Sequence, residues 1–301
     1  MKTITSFSFL IMMSFSLMAQ GPVTLKLNLQ KGKTYRISQS NTQNVQQTVN
    51  GQQYSSDVLS SIAATFKVLS QENDIMHIAF RFDTIATKVS SAMNKKETNS
   101  ARVTSKSDPM ERILNKLSSL TIVAKISTAG KFIGFANYPT FKDSAMFVLD
   151  SIPVTKRDKA KQQAENIFKE SNLQSMIEPY FSYLPEKAVN VNDTWESSYV
   201  MSADRTSMMS FNTYTLKAID GNLTQITGSS EIESIPSNDP TASQTKLKGT
   251  SNSDISANIT SGLLSKNTSK GHVAGTVNYN QQGKTMEVLI NVDSQSTIVI
   301  Q

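Results

Sequence analysis

The sequence contains no cysteine. That absence removes disulfides, thiolate metal ligands, thiol nucleophiles and a lipid-modified N-terminal cysteine. Histidine is nearly missing too, with only His77 and His272 in 301 residues. Zinc and iron sites draw on clusters of His, Cys and carboxylates, and no HExxH, paired-Cys or EF-hand spacing occurs. Both histidines therefore read as surface residues, and neither a metal site nor a cofactor is implied. Glycine and proline are scarce, at 12 and 8, which excludes a collagen-like or low-complexity chain. No apolar run reaches the ~20 residues that a membrane-spanning helix needs. A strong charge of one sign is also lacking. The net charge of +6 allows a weak attraction to anionic surfaces but is no nucleic-acid footprint.

What is present begins at the N-terminus. Lys2, an apolar run over 7–18, and Ala19 before Gln20-Gly21-Pro22 read as a secretory signal peptide, residues 1–19, cut after Ala19. The remaining 20–301 then works outside the cytoplasm. Ser, Thr, Asn and Gln dominate its polar residues, as suits exported antiparallel sheets.

Period-two patterning dominates the first third. Residues 24–29 alternate through Leu25, Leu27 and Leu29 and predict a strand. Lys31-Gly32-Lys33 predicts a turn, and 34–49 a long strand. Asn50-Gly51 is the strongest short hairpin signal, with the return strand over 52–70. Glu72-Asn73-Asp74 turns the chain again. Met76, Ile78, Phe80 and Phe82 then alternate with His77, Arg81 and Asp83, giving one greasy and one wet face. Residues 94–107 read as a polar loop. Asp108-Pro109-Met110-Glu111 predicts a helix start, with an N-cap, a first-turn Pro and an acid at the capping-box position. A strand pair follows over 120–127 and 131–136, turning at Ala129-Gly130.

The middle is helical. Phe141, Ala145, Val148, Leu149 and Ile152 recur at helical spacing. Thr155 predicts the cap of a second helix, whose stripe is Ala160, Ala164, Ile167 and Phe168. A third carries Met176, Ile177, Tyr180, Phe181 and Leu184 and stops at Pro185. Strands resume over 194–203, 207–219, 223–235, 246–260, 263–279, 283–292 and 295–300, with Asp220-Gly221, Ser261-Gly262 and Gln282-Gly283 as turns. Strands of fifteen or so residues approach about 50 Å at roughly 3.3 Å per residue, which favours a curved sheet.

The two β-rich regions echo each other. Leu29-Gln30-Lys31-Gly32-Lys33-Thr34-Tyr35 parallels Val189-Asn190-Val191-Asn192-Asp193-Thr194-Trp195. Thr65-Phe66-Lys67-Val68 before Glu72-Asn73-Asp74 parallels Thr213-Tyr214-Thr215-Leu216 before Asp220-Gly221-Asn222, at the same spacing. Lys125 to Phe132 parallels Asn258 to Leu264 with one gap. One β-rich domain over 20–301 follows, made of two related units, 20–137 and 186–301, around a helical insertion at 139–184.

The segments 184–195 and 29–35 also resemble an uncharacterised family of exported proteins, common in Bacteroidota, that has no assigned function. The layout looks like the lipoprotein-carrier fold of the bacterial envelope, in which an incomplete barrel holds an acyl chain under a helical lid. The resemblance implies the periplasm or exterior of a Gram-negative bacterium, and no functional residues, because the family has none.

Reactive chemistry is thinly signalled. No Gly-x-Ser-x-Gly elbow occurs, and His272 is a general base only by default. Glu231 and Glu233 pair on one strand face, as solvated carboxylates usually do. Gly32-Lys33-Thr34 and Gly283-Lys284-Thr285 lack the rest of a phosphate loop. No catalytic residue is assigned, and the chain reads as a non-enzyme. The apolar inventory says more. The expected fold is α+β, a strongly curved antiparallel sheet (an incomplete barrel) with helices on the concave face. The expected function is non-catalytic binding of an apolar ligand, namely an acyl chain, lipid or lipoprotein, between sheet and helices. Phe80, Phe82, Phe147, Phe168, Met176 and Phe181 are the expected lining. The alternative is an envelope scaffold or interaction module with a dry core. No nucleic-acid partner is expected, a peripheral membrane contact is compatible, and the sequence leaves the oligomeric state open.

Overall fold

Asn50 and Gly51 take left-handed φ values of 50° and 79°, and the tight turn they form folds β1 (Thr34–Val49) back on β2 (Gln52–Glu72). Asn73, at φ 55°, makes the next reversal into β3 (Ile75–Ser91). These hairpins begin a twelve-stranded, wholly antiparallel sheet in a computed structural model that describes residues 21–92, 94–104, 108–203, 206–236, 244–281 and 284–301. The expected signal peptide lies outside the described residues.

The later strands are β4 (Lys95–Asn99), β5 (Ile122–Ser127), β6 (Phe132–Phe135), β7 (Thr194–Ala203), β8 (Thr206–Asp220), β9 (Leu223–Ser234), β10 (Gln244–Asn258), β11 (Leu264–Gln281) and β12 (Lys284–Ile300). Their order is β6-β5-β3-β2-β1-β12-β11-β10-β9-β8-β7, with β4 beside β5 on the free side of β3. The sheet is not closed, since β6 and β7 end the order unpaired with each other. Four α-helices accompany it: α1 (Pro109–Ser118), α2 (Tyr138–Met146), α3 (Val154–Ile167) and α4 (Glu170–Ile177). The α+β expectation thus narrows to a fold dominated by one open antiparallel sheet.

Alternation along the strands puts one side-chain set in the core. Tyr35, Ile37, Ala64, Phe66, Val68, Met76, Ile78, Phe80 and Phe82 share a buried face with Leu216, Ile226, Ile255, Ile298 and Ile300. Helical side chains Ile113, Leu117, Phe141, Ala160, Ala164, Phe168, Leu173 and Ile177 join the same cluster. Aromatic rings interlock it. Tyr35 stacks on Phe66 at 4.9 Å, Phe181 meets Phe66 edge-on at 5.7 Å, and Phe80 contacts Phe82 at 5.1 Å and Tyr180 at 6.0 Å. Each such burial contributes about 1.5–3 kcal/mol. Asp108 caps α1 as its sequence predicts, accepting the Glu111 N–H at 3.0 Å.

Five local expectations are corrected. Residues 24–29 keep their alternation, with Leu25, Leu27 and Leu29 buried, but form no strand. Their N–H groups go to different elements, Leu27 to Thr128 O at 2.7 Å and Asn28 to Ser261 O at 2.9 Å, and Val23 bridges Val189, so no ladder can form. The loop at 94–107 contains β4, a polar edge strand, with 105–107 outside the described residues. Thr155 is not a cap: α3 starts at Val154, with Pro153 in the cap position. The third helix, expected to carry Met176 to Leu184, is instead α4 and a 3-10 turn over Glu178–Tyr180, where Pro179 removes an N–H. The two last strands are one, β12, because Asp293-Ser294 sits within a continuous ladder.

The sequence echoes coincide with matched geometry. Gly32 and Asn192 both have positive φ, 83° and 73°. The Gly32 N–H donates to Val68 O at 2.8 Å and the Asn192 N–H to Leu216 O at 2.7 Å. The register slips beyond both acceptors, between Val68 and Ser70 and between Leu216 and Ala218. Gly130 and Gly262 are likewise matched in left-handed turns, each with another stretch of chain close above it. A Cβ on Gly130 would strike Phe181 O, and one on Gly262 would strike Lys26 O.

Candidate functional site

The register of the sheet arranges the core-face side chains in rows. One row runs Val58, Gln43, Ser294, Gly271, Ser251, Ser230, Asn212 and Ser197 from β2 across to β7. The adjacent row, nearer the aromatic cluster, runs Ser60, Asn41, Ser296, Ser269, Ser253, Gly228, Tyr214 and Trp195. The middle of the core face is therefore a belt of small polar residues. On its far side lie Val45, Val292, Val273 and Ile232, and then Ile290 and Leu247. Valines 45, 273 and 292 and Ile290 are half-buried. The helices pack chiefly on β3, β4, β5 and β7, rather than on the β1, β10, β11 and β12 strands that carry this apolar band.

A cleft of about 1020 Å³ opens over the β7–β10 part of the belt. Ser197, Asn212, Ser230 and Ser251 line its floor. Gly130, Lys131, Glu178, Ser182, Leu184 and Glu186 form the facing wall. That wall is the chain leading into β7 together with the β5–β6 turn at Gly130 and Lys131, and the chain segment is held from both margins of the sheet. Ser197 Oγ donates to Ser182 O at 2.6 Å and Trp195 Nε1 to Tyr183 O at 2.9 Å. On the opposite side Lys131 pairs with Glu186, and Gly130 admits Phe181 O above its Cα. Tyr183 Oη anchors the segment to Gly262 O at 2.6 Å.

The floor is held by its own hydrogen bonds. Asn212 Oδ1 accepts from Ser230 Oγ at 2.7 Å and Ser210 Oγ at 2.9 Å, while its Nδ2 donates to Ser197 O at 3.2 Å. The wall differs. Ser182 Oγ is buried with no hydrogen-bond partner, and so are Asn41 Oδ1 and Asn267 Oδ1 on the core face. A buried polar atom without a partner costs about 1–3 kcal/mol, so these three atoms mark places where a bound polar group or water would be stabilised. Glu178 has its carboxyl pushed above the ordinary range by burial, against a hydrogen bond from Gln174. Lys131 holds Glu186 below it through a hydrogen bond and its charge. Burial raises the Tyr180 and Tyr183 phenols, keeping both neutral donors at physiological pH.

The six expected lining residues separate. Phe80, Phe82, Phe168 and Phe181 are 0–1% exposed and pack in the aromatic core, with Phe168 edge-on to Phe141 at 6.4 Å. Met176 is partly buried against that core. Phe147 stands apart, 66% exposed. None of the six lines the large cleft. Sequence reading missed Ser197, Asn212, Ser230 and Ser251 because serines are everywhere in this chain, and only register brings these together. His272 is on the opposite face, where its Nδ1 meets Asp293 Oδ1 at 2.9 Å, and His77 Nδ1 meets Ser70 Oγ at 3.2 Å. Among the described residues no three His, Cys, Asp or Glu side chains converge on a metal position.

The molecule is thus an open antiparallel-sheet protein with a polar cleft and a partly buried apolar band on one face. The chain belongs to DUF6263, a family of unknown function, which matches residues 73–264. No curated protein matches it. Among solved structures, lipovitellin, described for its lipid–protein interactions, aligns at 11% identity and TM-score 0.47 over 91% of this chain and 26% of its own. This chain therefore spans about a quarter of that one. The COG4313 outer membrane channel from Pseudomonas putida F1 aligns at 8% identity and TM-score 0.30, over 92% and 98%. A protein with a YmcC-like fold from Bacteroides fragilis aligns at 9% identity and TM-score 0.23, over 92% and 97%.

Proposed function

We propose that this is a non-catalytic extracytoplasmic protein of the bacterial envelope that binds an amphiphile on the core face of its sheet. The polar part of the ligand occupies the Ser197–Asn212–Ser230–Ser251 cleft, and its acyl part lies along the Val45–Val292–Val273–Ile232 row beside it. One observation carries this reading: a cleft wall with an unpartnered buried hydroxyl, Ser182 Oγ, adjoins an apolar row whose Val45, Val273 and Val292 are only half-buried.

In this reading the sheet is an incomplete barrel with the helices on its concave side. Twelve strands about 4.8 Å apart would lie on the order of 50 Å across if flat. Yet the β5–β6 turn and β7 touch the same short segment, at Glu186 and Ser182. The packed aromatics Phe80, Phe82, Phe168 and Phe181 then serve as the end wall of the trough. The two β units, 20–137 and 186–301, are taken as copies of one ancestral unit around the helical insertion, which the matched turns at Gly32 and Asn192 support. A non-catalytic role accords with floor hydroxyls that are already committed, Ser230 to Asn212 Oδ1, Ser197 to Ser182 O and Ser251 to Lys270 O.

Native mass spectrometry of protein released from intact envelopes is the test. The expected spectrum shows added mass with acyl-chain fragments. Val292→Asp, at a half-buried row position, should lose that mass while the protein stays folded. An unliganded spectrum for the native protein, or full retention by the variant, overturns the reading. The close packing of Phe66, Phe80, Phe181 and Tyr180 favours a second reading, a scaffold with a dry core, which the unliganded spectrum would support. Activity that survives purification on a panel of esterase and glycosidase substrates, and is lost in His272→Ala, would instead mark an enzyme.

A further inference from the structure

Phe147 and Val154 are the two most exposed large apolar side chains among the described residues, at 66% and 76%. They occupy one corner of the molecule. Phe147 follows the last residue of α2, Val154 is the first of α3, and a 3-10 turn over Phe147–Ser151 joins the two helices. The neighbouring residues Val148 and Ile152 are buried, so the turn is anchored from below while Phe147 and Val154 project.

The charge around this corner is mostly positive. Lys142, Lys156, Arg157, Lys159 and Lys161 outnumber Asp143, Asp150 and Asp158 between 138 and 161. Lys161 reaches Glu165 at only 4.0 Å, and Arg157 Nη2 bends back onto Ile152 O at 3.3 Å. Lys156 and Lys159 have no ion-pair partner among the described residues. Both line a cleft of about 340 Å³ between α1 and α3, with Lys96, Pro109, Met110 and Ala160. Lys96 is paired there with Asp108 at 3.1 Å. The first turn of α3 has no acidic residue, so the lysines sit at the positive end of the helix dipole, an arrangement that an external anion would relieve.

We infer that the α2–α3 corner docks the protein on an anionic phospholipid surface. Phe147 and Val154 enter the headgroup–acyl boundary, and Lys156 and Lys159 meet the phosphates. Aromatic and aliphatic residues ringed by lysine have this chemistry, since apolar burial gives affinity and basic residues select negative lipid. A protein partner fits less well, because two exposed apolar side chains and unpaired lysines fall short of the area that a stable protein interface needs. This goes beyond the amphiphile site, which lies on the sheet: the corner would bring the trough to a membrane, where it could load or unload.

The test is vesicle flotation with the full secreted chain. Phosphatidylcholine vesicles are compared with vesicles containing roughly one-third phosphatidylglycerol, an anionic surface that adds attraction for each nearby lysine. Binding is expected only to the anionic vesicles and should weaken with salt. Phe147→Ser with Val154→Ser should reduce binding about tenfold or more, and Lys156→Glu with Lys159→Glu by about tenfold. Circular dichroism melting confirms that both variants fold. Val292→Asp should dock as the native protein does, which separates this inference from the fate of the amphiphile site. Equal binding to neutral vesicles, native-like binding by either corner variant, or a native oligomer that the serine variant dissolves would each overturn the inference, the last by naming a second copy as the occupant.

Discussion

The two ends of the core face are built from one alternating pattern and yet do opposite things. At the end nearer the helices, Tyr35, Phe66, Phe80, Phe82, Tyr180 and Phe181 interlock ring on ring, and exposure falls to zero or a few per cent. At the other end Val45, Val273, Val292 and Ile290 are only half-buried, beside the buried Ile232, Leu247, Val277 and Val288, and the helices pack chiefly elsewhere, on β3, β4, β5 and β7. Between the two runs the serine-rich belt. The contrast separates a tightly packed region from a more loosely covered one. Large aromatic side chains close the first end, while small side chains fill the belt beside it. Glycines reinforce this: Gly228, Gly249, Gly271 and Gly275 all lie on the core face. A Cβ at Gly228 would be 2.8 Å from the Tyr214 ring, so that ring covers the backbone where a side chain would otherwise stand.

The comparison breaks first at the closed end. Phe80→Ala should cost about 3–5 kcal/mol in urea unfolding, against little for an equivalent truncation at half-buried Val292. A loss below about 1 kcal/mol at Phe80 would mean the aromatic cluster does not carry the fold. Next come the two crossing points. Gly130→Ala and Gly262→Ala each force a Cβ onto a carbonyl from another segment and should cost about 3 kcal/mol apiece. Gly32→Ala is the control. It shares the positive φ of 83° but has open space around it, so only about 1 kcal/mol of backbone strain is expected.

The smallest effect concerns pH. Burial raises the Glu178 carboxyl above its ordinary value, so the folded state holds the proton more tightly than the unfolded chain. The stability linked to this group is complete below the unfolded value and falls as pH rises through the raised folded one. Glu178→Gln should flatten that decline in a series of melts from acid to neutral pH. An unchanged profile would place the carboxyl in freer contact with water than the cleft wall allows.

Much of this architecture was legible in the sequence. Asn50-Gly51, Asn73 and Asp108-Pro109 gave their hairpins and helix start correctly because each acts through its own backbone. The second-half strands were placed within a residue or two for most elements, since period two survives any tertiary context. Reading failed where the cause lay elsewhere in the chain. Residues 24–29 alternate like a strand, but their backbone N–H groups bond to two separate turns, at Thr128 and Ser261. Asp293-Ser294 looked like a break because the polar row to which Ser294 belongs is visible only across strands. The candidate site was the least legible part, as its serines carry no local signature.

The sequence alone determined which stretches are extended, where they reverse, and which alternate residues face inward, because each depends on near neighbours and fixed backbone geometry. Only the tertiary structure decided that β1 pairs with β12, joining Ile37 to Ile300, and that four serine and asparagine positions on separate strands meet in one cleft. It also decided that Phe141 is buried at 4% while Phe147, in the same helical run, is 66% exposed. Burial and register are set by what the rest of the chain brings alongside, and no local pattern records that.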